Sequence, residues 1–268
     1  MTVRSGLALV AMLLAAAPGG AAELLPREAG LTARDVVSRV EDNLRGLKSS
    51  TCEATMTVKS PRLPAPREVR FRCWEDRKDQ RSFIRILAPA KDKGVGFLKI
   101  PPNLWNYIPR VERTVRIPPS MMMQSWMGSD FTNDDLVRES SVLDDYDHEF
   151  LGIDPAFLGL DESPRRTHVI EYLPHEDAPV VWGRIVVWVD AERFVPLQQE
   201  FFDEDGVRLR RMTLGDVREV QGRSVPHLWV MVPLDKEGHE TRLEYQSLRF
   251  DEPLDAGVFT KRNLSRRE

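Results

Sequence analysis

Five histidines are the side chains best suited to acid–base or metal chemistry near neutral pH: His148, His168, His175, His227 and His239. They are scattered, with no HExxH motif and no pair at helical spacing, so nothing in their spacing marks a zinc hydrolase. Cys52 and Cys73 lie too far apart in sequence to frame a zinc site. No nucleophile elbow, phosphate loop or dinucleotide fingerprint occurs, and Gly94 and Gly96 read as two glycines in a turn. The densest carboxylates are Asp144, Asp145 and Asp147, and Asp134 with Asp135. Such groups can hold a cation or move protons. Here the bland reading is stronger, because Thr132 and Asp135 have the spacing of a helix cap and DDYD has the composition of a solvated loop. No catalytic residue, metal site or cofactor is expected.

The compartment constrains what else the chain could do. Arg4 precedes an unbroken apolar run, Leu7 to Ala17, and Gly20-Ala21-Ala22 supplies small residues for cleavage. That is the pattern of an export signal over residues 1–22, too short to span a bilayer. Residues 23–268 are then expected to be a single periplasmic domain. With 38 basic against 42 acidic residues the charge is −4, and no basic stripe marks a nucleic-acid interface. In an exported protein, two cysteines predict one disulfide.

The elements follow from hydrophobic period. LTARDVVSRVEDNLRGLK (31–48) is helical, with Thr32 and Asp35 as a capping box and Val36, Val40, Leu44 and Leu47 on one stripe. After Gly46 the period drops to two. Segments 50–60 and 66–76 form a hairpin if opposed residue numbers sum to 125, which sets Cys52 against Cys73, Ala54 against Phe71 and Met56 against Val69. Further strand-like runs cover 81–87, 96–101, 104–109, 113–118, 146–152, 166–173, 182–190, 196–203, 207–217, 227–233 and 239–250. Without helices between them, these predict a mainly β (α+β) fold in one curled antiparallel sheet. A sheet that long encloses an interior that side chains, helices or a ligand must fill.

Two stretches bear on what fills it. LWNYIPRVERTVRIP (104–118) places large apolar groups on both faces of a strand, so each face needs an apolar cover. Arg113 and Arg116 follow, as rim residues for a head group or as ordinary surface charge. Next, PPSMMMQSWM packs Met121, Met122, Met123, Trp126 and Met127 into seven positions after two prolines. Methionine adapts to many shapes, so this segment, with Phe131 beyond it, is expected to form a short helical lid. Met122 and Trp126, and Met123 and Met127, would pair one turn apart.

Residues 94–147 also resemble the central signature of the LolA-like outer-membrane lipoprotein-sorting proteins, through GFLK (96–99), LWNYIP (104–109), RTVRIPPSMM (113–122) and MGSDFTNDDL (127–136). The resemblance implies an unclosed antiparallel β-barrel with helices over its mouth and a hydrophobic cavity. It implies a non-enzymatic carrier for acyl chains of lipoproteins or other lipids; a monomer is expected. Expected partners are an RND-type or ABC inner-membrane transporter and an outer-membrane acceptor. The alternative role is a periplasmic adaptor of such a transporter that carries nothing. On the carrier reading the cavity wall comprises Phe97, Leu104, Trp105, Tyr107 and Ile108 from the sheet, with Val36, Val40 and Leu44 from the helix.

Overall fold

A computed structural model describes residues 24–26, 30–137, 142–178 and 180–266. The segment read as an export signal lies outside the described residues. The first helix, α1, spans Ala33–Arg45. Its capping box forms as expected: the Thr32 N–H donates to Asp35 Oδ2 at 3.0 Å and the Asp35 N–H to Thr32 Oγ1 at 3.1 Å. Val36 and Val40 are buried, as are Val37 and Glu41. Leu47 is 59 % exposed, which corrects the predicted stripe: the helix has already ended at Gly46, whose φ of 70° suits glycine.

Thirteen antiparallel strands follow, and every run predicted as a strand is one. They are β1 (Ser49–Lys59), β2 (Arg67–Asp76), β3 (Arg81–Ala88), β4 (Gly96–Ile100), β5 (Asn103–Ile108) and β6 (Arg113–Ile117). Then come β7 (Tyr146–Leu158), β8 (Pro164–Pro174), β9 (Arg184–Asp190), β10 (Pro196–Phe202), β11 (Arg208–Val220), β12 (Arg223–Pro233) and β13 (Glu240–Phe250). Opposed pairs Cys52 with Cys73, Ala54 with Phe71 and Met56 with Val69 are in the predicted register. The disulfide Cys52–Cys73 forms, with the two Cα atoms 5.0 Å apart.

All thirteen strands belong to one unclosed sheet in the order β6-β5-β4-β3-β2-β1-β13-β12-β11-β10-β9-β8-β7. Sequence neighbours are spatial neighbours within each half, and β1 pairs with β13 to join the halves. This leaves β6 and β7 as opposite edges. The chain between them must therefore cross from one edge to the other, and its described residues, 118–137 and 142–145, lie over the face that α1 also covers. The crossing carries the methionine-rich stretch and the short helix α2 (Asn133–Val137).

The inner face holds the main core, in which Val36 and Val40 of α1 pack with Met122, Trp126 and Phe131 of the crossing and with residues of nearly every strand. The outer face carries a second cluster of Phe83, Leu98 and Tyr107 under Phe259 and Leu264, the latter in α3 (Lys261–Leu264). Leu104 faces the first core while Trp105 and Tyr107 join the second, so both faces of β5 are covered, as its composition requires. Gly96 is not a turn residue but opens β4. A Cβ there would sit 2.8 Å from Leu264 Cδ1, so only glycine admits the C-terminal segment this closely.

Candidate functional site: a cavity with one polar end

Between α1, the inner face and the crossing lies a cavity of about 200 Å³. One water needs about 10–15 Å³ on this measure, so the space is far larger than a packing defect. Its apolar body is walled by Phe71, Ile84, Ile185, Met212, Leu214 and Leu243. Eleven of the thirteen strands reach it, all but β5 and the edge strand β6, which requires the sheet to curl. Trp182, Phe201 and Trp229 add aromatic surface.

At the end beside the C-terminus of α1 the lining turns polar. Period-two alternation brings Ser50, Glu75 and Ser82 to the inner face from β1, β2 and β3, and Lys99 borders the same end. Exposed Gln80 also lines this end, so the cavity reaches solvent there. From α1, Arg45 donates from Nε to Glu75 Oε1 at 2.7 Å and from Nη1 to Glu41 Oε2 at 3.1 Å. Ser50 Oγ donates to the other Glu75 oxygen at 3.3 Å. Burial works against the Arg45 charge, but Glu75 and Glu41 more than restore it, and its pKa lies above the usual arginine range.

A second ion pair ties the crossing to the wall. Arg210 of β11 donates from both terminal nitrogens to the two Asp135 oxygens at 2.6 Å, in a bidentate fork. Its guanidinium lies 4.2 Å from the ring centroids of both Trp182 and Phe201. Burial alone would raise the Asp135 pKa; the Arg210 charge and hydrogen bonds outweigh it and hold the carboxyl below its usual range. Asp135 also accepts from the N–H and hydroxyl of Thr132 at 2.7 and 2.9 Å, the cap expected from the sequence. Two tyrosines, Tyr146 of β7 and Tyr172 of β8, border the same space with ring centroids 6.3 Å apart. Burial pushes both phenols up, aided by Asp134 and Asp145 at Tyr146 and by Glu41 at Tyr172, so both remain protonated.

Of the residues expected at the site, Val40, Leu44 and Phe131 line the cavity, with Cys52 and Cys73. Val36, Phe97, Leu104, Met122 and Trp126 are buried in the surrounding core without bordering the cavity. Trp105 and Tyr107 lie on the outer face, and Ile108 is half-buried at the end of β5. Arg113 and Arg116 are exposed on the edge strand β6, away from the cavity, because β6 is the last strand of its half.

The helical lid is also corrected. Residues 119–121 and 126–128 form separate 3-10 turns, and Met127 has a left-handed φ of 50°. The pairings expected one helical turn apart have no helix to carry them. Asn133 Nδ2 donates to the Met121 carbonyl at 2.9 Å and Arg67 to that of Met127, which folds the stretch into a pinned loop. Met121 and Met123 are 36 % and 42 % exposed and Met127 is half-buried. Trp126, fully buried, packs its ring against Phe71 and Phe97 at 5.3 and 5.5 Å. Sequence reading missed Glu41, Arg45, Arg210 and the two tyrosines. Glu41 had a signal: it stands four residues after Val37, on the buried stripe, with Arg45 one turn further on. Among the described residues no group of histidine, cysteine or carboxylate side chains could hold a metal ion.

The fold is that of solved LolA-superfamily structures. An outer membrane lipoprotein-sorting domain from Vibrio parahaemolyticus, so assigned provisionally, is 23 % identical with a TM-score of 0.75, over 87 % of this chain and 98 % of that one. A LolA superfamily protein from Nitrosomonas europaea is 20 % identical with a TM-score of 0.72, over 87 % and 100 %. A DUF1329 family protein from Desulfovibrio piger is 19 % identical with a TM-score of 0.76, over 87 % and 97 %. No curated protein matches the sequence significantly. A family model described as an uncharacterized protein matches residues 78–266.

Proposed function

The chain belongs to that family, and on this premise, with its LolA-superfamily fold, we propose that it is a periplasmic carrier that shields acyl chains of lipoproteins or other lipids on their way to the outer membrane. The observation that carries this reading is the cavity itself: an apolar interior of about 200 Å³ with a polar, solvent-reaching end. Such a shape fits an amphiphile, whose chain enters and whose head group stays at the mouth. Burying a chain of about fourteen carbons yields on the order of 10 kcal/mol at about 0.8 per methylene. The similarity to a domain described for lipoprotein sorting supports the same reading. Loading by an RND-type or ABC inner-membrane transporter and unloading to an outer-membrane acceptor belong to it.

Native mass spectrometry of protein gently purified from its own envelope tests the proposal. Stoichiometric lipid is expected, and Leu214→Phe, which fills the cavity, should lower it. Protein that carries no lipid under these conditions would refute carriage. The adaptor reading has one observation in its favour, the exposed edge of β6 with Arg113, Thr114, Val115 and Arg116. A lipid-free protein that still binds its transporter through that edge would establish it.

A further inference from the structure

The cavity contains more polar chemistry than a receptacle for hydrocarbon requires. Tyr146 and Tyr172 are 2 % and 4 % exposed and both border it. No hydrogen bond within the described residues engages either hydroxyl, and neither is sealed off among the buried polar atoms, so both open into the cavity, whereas Arg45 and Asp135 are hydrogen-bonded within the protein. A hydroxyl that opens into an apolar cavity gains from a partner supplied by the ligand, because polar groups taken out of water are generally paired. Two such groups side by side, on neighbouring strands of one wall, make a built hydrogen-bonding site inside an otherwise greasy space.

Charge decides which ligand group fits. Glu41, Asp134 and Asp135 border the same region. Arg45 and Arg81 line the cavity and Arg210 stacks on its Trp182 and Phe201; they are engaged by Glu41 and Glu75, by Asp76 and Asp79, and by Asp135 respectively. An anion at that depth would meet carboxylates and arginines already paired. A neutral acceptor meets two phenol donors at no electrostatic cost.

We propose that Tyr146 and Tyr172 form a carbonyl-binding subsite, at which their hydroxyls donate to the ester or amide carbonyl of an acylated cargo. The inference rests on the carrier reading and narrows it from lipid in general to acyl esters or amides. It also sets the register of the cargo, with the carbonyl held beside β7 and β8 and the chain running over the apolar wall.

The test is displacement of N-phenylnaphthylamine from the full-length protein by methyl myristate, its matching n-alkane and the free myristate anion. Wild type should bind the ester more tightly than the alkane by about two- to tenfold per hydroxyl, and the anion no better than the alkane. The double variant Tyr146→Phe, Tyr172→Phe should lose the ester preference while its alkane affinity is unchanged. Each single variant, removing one oxygen, should lose part of it. Equal binding of ester and alkane by wild type would overturn the subsite and leave the carrier standing. So would an ester preference that survives in the double variant, or an anion that binds as tightly as the ester. No binding of any probe to wild type would overturn the carrier reading and the subsite together.

Discussion

The inner and outer faces of the sheet solve the same problem in different ways. Strands β3, β4 and β5 send large apolar side chains to both. On the outer face, residues 254–264 lie directly on Phe83, Leu98 and Tyr107. That cover is locked by Arg85, buried, which donates to the carbonyls of Leu264 and Gly94 at 2.9 Å and of Asn263 at 2.6 Å. Lys261 caps the patch with its ammonium 4.3 Å from the Trp105 ring centroid. On the inner face a helix and a long crossing bridge a much wider span, and a cavity remains beneath them. A short segment against a few strands can fit everywhere; a cover anchored at distant strands touches the wall at its supports and spans the rest. The void is a consequence of topology, not of weak composition.

The largest expected effect tests a support of the inner cover. Asp135→Asn leaves Arg210 as a buried charge without its counter-ion, and should cost about 3–5 kcal/mol by urea unfolding. The pH dependence follows with its sign. Because the folded Asp135 pKa is depressed, its stabilisation is complete above the ordinary carboxylate value, about 3.9, and is lost as pH falls through the folded value. Acid unfolding of Asp135→Asn should therefore be less steep than that of wild type. If the two acid profiles coincide, the pair does not anchor the crossing.

Next in size, Leu264→Ala empties the centre of the outer cover, and a loss of about 2–5 kcal/mol in thermal or urea unfolding is expected. The comparison is then sharpened by enlarging one residue on each face. Leu98→Phe has no space on the outer side and should cost about 1–3 kcal/mol. Leu214→Phe enters the cavity and should cost less than about 1 kcal/mol while reducing bound lipid. Equal costs for the two would mean the inner space is not available to side chains. The smallest effect is expected at the exposed pair Arg218 and Asp216 on β11, where Asp216→Asn, which removes the charge and tolerates the left-handed backbone there, should leave the melting temperature unchanged.

Much of this architecture was legible because it depends on short-range periodicity. The switch from helical to alternating pattern after Gly46 located α1 and β1, and the alternation of Cys52, Ala54 and Met56 against Cys73, Phe71 and Val69 gave the register and the disulfide. Period-two alternation assigns faces without any knowledge of neighbours. The methionine-rich stretch misled for a related reason. Its spacing fits a helix, but Pro118, Pro119 and the left-handed Met127 break the backbone, and Asn133 and Arg67 hold it from outside the stretch. Local pattern cannot report a restraint made by a residue sixty positions away.

Site residues divide along the same line. Val40, Leu44 and Phe131 were found because they are apolar where an interior needs apolar groups. Arg113 and Arg116 stood open between a cavity rim and ordinary surface charge, because spacing says nothing about which strand ends up at an edge. Tyr146 and Tyr172 were passed over as ordinary strand residues.

The sequence by itself determined the strands, their alternation, the cap of α1 and the cysteine pairing, since each is fixed by groups within one or two elements. Only the tertiary structure decided that β1 meets β13, that the chain between β6 and β7 must bridge opposite edges, and that two phenols come to share one cavity with four carboxylates. Those outcomes depend on contacts between residues far apart along the chain, which become neighbours only once the sheet has curled.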